Sequence, residues 1–172
     1  MVSSNEIVGV TREVWWRRWL VTPVVAQLKV GNSPEKIAWT IALGVVLGVF
    51  PIMGSTTLVC LLVGWMLHLN QPVLHLFKTV VYPLHLALIL VFIRLGERLY
   101  GVSLISFSIP QLVGKFRDDP LQFARDFGLA AWHGVSAWFL IAPFAALLIK
   151  VTVLPVLRKV AASLQRREEV TP

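Results

Sequence analysis

Charged side chains are missing from the middle of this sequence. None occurs between Lys36 and Lys78. Acidic residues are scarcer still, with no Asp or Glu between Glu35 and Glu97. The chain is 56% hydrophobic with a mean hydropathy of +0.74, which is more apolar surface than a soluble domain of 172 residues can bury. We therefore expect an all-α integral membrane protein that forms a single membrane domain over residues 1–172.

The usual signatures of catalysis and metal binding are also missing. Cys60 is the only cysteine, which excludes an internal disulfide, and we expect it to pack as a small apolar residue. There is no phosphate-cradling glycine loop, no pair of carboxylates and no Ser–His–acid set, so we expect neither an enzyme nor a cofactor. The histidines have no carboxylate or thiolate at zinc-ligand spacing, and we expect interfacial or hydrogen-bonded roles for them: His68, His75, His85 and His133.

The chain has a net charge of +7, and the basic residues can serve either nucleic-acid binding or membrane association. A nucleic-acid-binding protein would carry a basic stripe on a soluble fold, and none is visible, so we expect no nucleic-acid partner. Lys and Arg instead flank the apolar segments, where they set membrane orientation and attract anionic lipids. We expect a multi-pass protein of the inner (cytoplasmic) membrane with both termini in the cytoplasm.

The longest uncharged stretch is too long for one membrane crossing. An unbroken helix from Ile37 to Leu67 would reach roughly 46 Å, against a hydrocarbon core of about 30 Å. Pro51 and Gly54 interrupt it near its middle, one by removing a backbone donor and the other by allowing unusual backbone angles. The pattern predicts a broken, re-entrant helix pair over residues 34–68, with half-helices at 34–50 and 55–68.

Helix ends and helix packing are indicated by local motifs within this pair. Ser33 can cap the first half-helix, with Pro34 at its first position. Gly44 and Gly48 have the small-residue spacing that lets membrane helices approach closely. The hydroxyls that follow the break can cap the second half-helix: Ser55, Thr56 and Thr57.

The flanking segments complete the predicted architecture. We expect an interfacial helix at 10–30, anchored in the headgroup layer by Trp15, Trp16, Arg17, Arg18 and Trp19. Residues 73–93 are long enough to span the membrane as a transmembrane segment, in which Pro83 introduces a kink or break. We further expect an interfacial amphipathic helix at 111–128, a transmembrane helix at 129–149, and a basic amphipathic tail helix at 156–169.

Lys78 is the residue that most directly suggests a binding site. A lysine at the centre of a membrane helix costs about 2.5–3.5 kcal/mol on the insertion scale, and no carboxylate is near it in sequence. A half-helix that begins at the break would also point backbone N–H groups into the membrane, which favours an anion. Two interpretations stay open. Either Lys78 extends to the interface and the hydroxyls only cap a helix, or a phosphate- or carboxylate-like head group binds among Ser55, Thr56, Thr57, Lys78, Thr79 and Tyr82.

Several motifs in residues 30–100 resemble one bacterial membrane family. Residues 33–38, Ser-Pro-Glu-Lys-Ile-Ala, are followed by the glycine-spaced apolar run, by Pro51 and Gly54, and by a turn that ends in Asn70. This order is similar to the pattern of the family called domain of unknown function 2062. A later family motif of Gly-Thr and Asn-Pro appears here as residues 78–79 and 82–83. The chain departs from the pattern where Thr56 replaces Gln or His, where Lys78 replaces Gly, and where Tyr82 replaces Asn.

The resemblance implies a loose link to cell-envelope lipid chemistry, because some members accompany glycosyltransferases of the polyprenyl-phosphate type. Two functions therefore remain as hypotheses. The first is a small membrane protein that binds or translocates an anionic amphiphile, such as a lipid-linked phosphate, at its broken helices. The second is a non-catalytic accessory subunit that docks on a larger membrane complex. Either one implies a homo-oligomer or a larger assembly, because so few membrane segments make a thin bundle.

Overall fold

The computed structural model describes residues 21–52, 54–102 and 116–170, with side chains up to Arg166. These residues form helices and the short connections between them, and they contain no strand. The predicted anchors at positions 15–19 lie outside the described residues, as does the first part of the predicted 10–30 helix. In chain order the helices are α1 (Thr22–Lys29), α2 (Pro34–Gly48), α3 (Thr56–Met66), α4 (Gln71–Val80), α5 (Tyr82–Tyr100) and α6 (Pro120–Val170).

Helix α2 begins as the local sequence predicts. Ser33 has an extended backbone, and its side chain accepts a hydrogen bond from the Lys36 N–H at 3.3 Å. Pro34 takes the first helical position, where the N–H that proline lacks would have no helical partner. Glu35 in the first turn complements the positive end of the helix dipole. Because three local signals agree, this end of the helix is well specified.

Helices α2 and α3 form a hairpin whose two ends lie side by side. The connection contains a buried Pro51, and Gly54 has a φ of +84°, a left-handed conformation that favours glycine. At the far end of α3, the Asn70 side chain donates to Gln27 Oε1 at 2.6 Å, which ties the α3–α4 turn to α1. Asn32, just before α2, donates to the same oxygen at 3.0 Å. The hairpin therefore starts and finishes at one end of the bundle. We call the described residues 49–52 and 54–57, which form the connection and the first residues of α3 at the other end, the elbow.

Helix α4 then runs beside α2 and turns sharply into α5. A Cβ on Gly44 would lie 2.7 Å from the Leu74 carbonyl oxygen, and one on Gly48 would lie 3.0 Å from Lys78 Cα, so both glycines face α4 at close range. The axes of α4 and α5 differ by 69° at Val81. Pro83 is in the first turn of α5, where it cannot donate the bond that would continue α4.

Helix α6 corrects the predicted division of the last third of the chain. The sequence predicts separate helices at 111–128, 129–149 and 156–169, whereas residues 120–170 form one 51-residue helix that contains Pro143 and Pro155. Residues 111–115 lie outside the described part of the chain. A helix can pass through a proline when neighbouring contacts compensate for the lost hydrogen bond. Beyond Pro155, Leu157 is buried against the first turns of α2, and Arg158 pairs with Glu35 at 2.8 Å. These contacts hold the last turns of α6 in line.

The predicted bounds of the membrane segments change in smaller ways. The half-helices end at Gly48 and Met66 rather than at residues 50 and 68, and the 73–93 segment is the bent pair α4–α5. Helix α6 is the one described helix that is long and apolar enough to cross a membrane, and α4–α5 taken as a single bent span would add a second.

Large apolar side chains cover the outside of the bundle. On α6 they include Phe139, Phe144 and Leu148, which are between 65% and 72% exposed. On α3, Leu58 and Trp65 are exposed to a similar degree. A monomeric soluble protein rarely exposes contiguous apolar surface on this scale, so this surface is typical of a chain that associates with a membrane.

Candidate functional site

Two of the predicted site residues meet at the elbow. The Lys78 Nζ on α4 donates a hydrogen bond of 2.5 Å to Thr57 Oγ1 in the first turn of α3. The glycine at position 48 allows this contact, since it lets the Lys78 backbone pass directly against α2. Thr57 is exposed and Lys78 is partly buried, so the ammonium group lies at the edge of the bundle rather than in its core.

The first turn of α3 differs from the capping predicted for it. Ser55 has α-helical backbone angles instead of the extended conformation of an N-cap, and no side chain caps the helix. Its hydroxyl donates back to the Ile52 carbonyl at 3.0 Å within the elbow. The predicted cap is therefore wrong. The N-terminal N–H groups of α3 keep their positive partial charge at the place where Lys78 adds a full one.

The other predicted site residues surround this contact without joining it. Thr56 is buried with 6% of its surface exposed, on the side of α3 that faces the bundle. Thr79 is exposed, and its hydroxyl donates to the His75 carbonyl at 2.9 Å, one turn earlier in α4. Tyr82 is exposed at the α4–α5 bend and packs edge-on against His85. The structure thus brings Thr57 and Lys78 together, leaves Thr56 buried, and leaves Thr79 and Tyr82 as neighbouring surface.

His85 behaves differently from the expectation of an interfacial or hydrogen-bonded histidine. It is 1% exposed, lies beside the Phe50 backbone, and neither ring nitrogen has a well-formed hydrogen bond among the described residues. Pro83, two residues earlier, predicts a bend, but the sequence analysis did not place His85 near the elbow. In the described part of the chain, no three His, Cys, Asp or Glu side chains are grouped to hold a metal ion.

Trp138 is a supporting residue that the sequence analysis missed. Its Nε1 donates to the Val46 carbonyl at 3.2 Å, and its ring packs at right angles on Phe50 with centroids 5.0 Å apart. Carbonyls in the last turn of a helix lack the usual helical donors, so the indole satisfies a group that α2 leaves open beside the elbow. The sequence does contain a signal for this role. Trp138 lies near the middle of the predicted 129–149 span, far from the interfaces where tryptophan is usually found.

Comparison with known proteins identifies the family. Residues 17–166 match the model of a family described as "Uncharacterized protein conserved in bacteria (DUF2062)". The chain belongs to the DUF2062 family. No curated protein and no solved structure matches the sequence. The match to DUF2062 reaches well past the residues 30–100 whose motifs indicated it and includes most of α6.

The elbow lies inside the region of the chain that matches the DUF2062 family. The DUF2062 match contains α1 to α5 completely, so the hairpin, the elbow and the α4–α5 bend all lie within the family domain. The family description assigns no activity. Any function must therefore follow from the chemistry of the elbow itself.

Proposed function

We propose that this DUF2062 protein binds the phosphate-like head group of an anionic amphiphile at the elbow. The observation that carries the proposal is the hydrogen bond from Lys78 to Thr57 at the uncapped start of α3. A lipid-linked phosphate is the ligand class that fits best, since it combines an anionic head with a membrane-soluble tail. Binding at this position is also the first step that translocation of the head group would need.

The lengths of the hairpin helices support a position for the elbow inside the membrane. Helix α2 has 15 residues and α3 has 11, which at about 1.5 Å per residue gives roughly 22 Å and 16 Å. Neither length spans a hydrocarbon core of about 30 Å. With the paired ends of the hairpin at one interface, the elbow lies part-way across the bilayer. Trp138, near the middle of the predicted span on α6, contacts α2 at this level.

The charges at the elbow favour an anion. Lys78 carries a positive charge, and the first turn of α3 adds the positive end of a helix dipole beside it. Within the described residues the hydroxyl of Thr57 is the one polar side chain that contacts the ammonium, and a hydroxyl does not neutralise it. A phosphate would compensate both positive groups and accept charge-assisted hydrogen bonds from Lys78 and from the N–H groups of α3.

The surroundings of the elbow favour a ligand that arrives from the lipid. Thr57 is exposed, and so is Leu58, the next residue along α3. An amphiphile could place its head group against Lys78 while its tail lies along the exposed apolar face of α3. We further propose that the protein is a multi-pass protein of the bacterial inner membrane, with the paired ends of the hairpin and the C-terminal end of α6 on the cytoplasmic side.

The proposal predicts that Lys78→Met lowers affinity for a lipid phosphate by about tenfold or more, because hydrogen bonds to charged groups contribute about 1.5–3 kcal/mol each. Binding of farnesyl phosphate to the full chain in detergent micelles can be measured by isothermal titration calorimetry. Farnesol, which has the same tail and no charge, is expected to bind no better than background.

Lys150→Met provides the matched control. Lys150 is another partly buried lysine, on α6, whose ammonium lies 4.7 Å from the ring centroid of Trp39. This substitution removes the same charge and is expected to change affinity less than threefold. Equal affinities for wild type and Lys78→Met, with both proteins folded by circular dichroism, would contradict the proposal and leave the accessory-subunit hypothesis.

A further inference from the structure

A second cluster of charged residues lies at the other end of α5, away from the elbow. An open cleft of about 650 Å³ is lined there by Arg94, Glu97, Arg98, Gly101 and Val102. Gly101 ends the helix with a φ of +66°, and the N–H of Val102 bonds back to the Glu97 carbonyl at 3.0 Å. The carbonyls of Glu97 and Arg98 are thus satisfied by the chain itself, and the charged side chains define the chemistry of the cleft.

The charged side chains of the cleft have unequal roles. Glu97 is 4% exposed, and its carboxylate holds Arg94 at 2.9 Å, so it fixes one guanidinium at the cleft wall. The Arg98 side chain, one residue further along, is exposed and makes no hydrogen bond or ion pair with any residue that the structure describes. The Arg98 guanidinium is therefore the group at this cleft that is exposed to a ligand.

We propose that this cleft binds a phosphate group between Arg98 and Arg94. The planar guanidinium presents paired N–H donors that match two phosphate oxygens, and an arginine held at the wall beside an exposed one can contact the same group from two sides. The cleft follows the apolar run of α5, so in a membrane it lies at headgroup level, where the phosphate of an anionic lipid is within reach. This inference depends on membrane association but not on ligand binding at the elbow.

The test measures lipid binding to the full chain by native mass spectrometry in neutral detergent. Phosphatidylglycerol is the anionic probe, phosphatidylcholine the zwitterionic one, and inorganic phosphate the soluble source of the same group. We expect phosphatidylglycerol to be preferred and Arg98→Gln to weaken its binding about tenfold, while Arg98→Lys, which keeps the charge without the paired donors, gives a smaller loss. Retention of inorganic phosphate with the same dependence on Arg98 would overturn the lipid assignment and make the cleft a site for a soluble phosphate.

Two control variants distinguish binding in the cleft from a general effect of positive charge and from binding at the elbow. Arg125→Gln removes an exposed arginine of α6 with the same change in charge and is expected to leave lipid binding unchanged. The Arg98 variants are also measured in a Lys78→Met background, which removes the lysine that would hold phosphatidylglycerol at the elbow, so the cleft and the elbow can fail independently. Equal effects of Arg98→Gln and Arg125→Gln, or equal binding of the two lipids, would overturn the proposal. Circular dichroism checks the fold of each variant.

Discussion

Replacing Gly96 by Ala is expected to lower the free energy of unfolding by about 2–3 kcal/mol, which is the upper part of the range for overpacked sites. Gly96 lies on α5 where α6 crosses it, and an added Cβ would overlap the backbone carbonyl of His133 and lie 2.9 Å from its Cβ. A backbone atom cannot rotate away as a side chain can. The two helices must therefore separate, which would also strain the contact of the Tyr100 ring with His133, now 4.4 Å between centroids.

Gly128→Ala is the matched control for this prediction. Gly128 is also helical, on α6, and a Cβ there would meet nothing within 4 Å. Because alanine favours the helix over glycine, this variant is expected to be unchanged or more stable by about 0.5–1 kcal/mol. Chemical unfolding in mild detergent, followed by circular dichroism, gives both values. Two variants of equal stability would show that α5 and α6 do not approach as closely as described.

The second large effect is expected for Trp138→Phe, at about 2–3 kcal/mol of lost stability. This change removes the donor to the Val46 carbonyl and leaves that oxygen buried at the last turn of α2. It also replaces the indole that packs against Phe50, which lies in the elbow. We therefore expect the variant to lose affinity for farnesyl phosphate as well, because the start of α3 is positioned through this contact.

The same substitution at Trp132 shows what the change from Trp to Phe costs at an exposed position. Trp132 lies on the same helix with 62% of its surface exposed, against 5% for Trp138. Trp132→Phe is expected to change stability by less than about 0.5 kcal/mol, as is usual for surface positions. If both tryptophan variants lose the same amount, the buried contacts of Trp138, its hydrogen bond to α2 and its packing on Phe50 taken together, have no energetic weight and do not fix the elbow.

The features of this fold that the sequence predicts are those with local causes. The start of α2 follows from the Ser33–Pro34 signal, and the interruption after Gly48 follows from Pro51 and Gly54. The approach of α2 to α4 uses the small-residue spacing of Gly44 and Gly48. In each case the backbone conformation or the free space is a property of the residue itself.

The features that the sequence did not predict depend on contacts between distant segments. Nothing local indicates that Lys78 reaches Thr57 or that Trp138 bonds to α2, because both depend on how the hairpin folds back. Just beyond Pro155, α6 is held against α2 by the burial of Leu157 and the pairing of Arg158 with Glu35, and both partners lie far away in the chain. The Ser55 cap failed for a related reason, since its hydroxyl is used by the elbow before the helix starts.

Side-specific cysteine labelling tests the central claim most directly, namely that the hairpin enters and leaves the membrane from one face. In a Cys60→Ala background, single cysteines replace Val30 before α2, Leu67 after α3, and Val102 after α5, all of which are exposed. A membrane-impermeant maleimide is applied to intact spheroplasts and to inverted membrane vesicles. A re-entrant hairpin predicts that positions 30 and 67 react from the same side and position 102 from the opposite side. Labelling of positions 30 and 67 from opposite sides would mean that residues 34–68 cross the membrane, which contradicts the re-entrant arrangement.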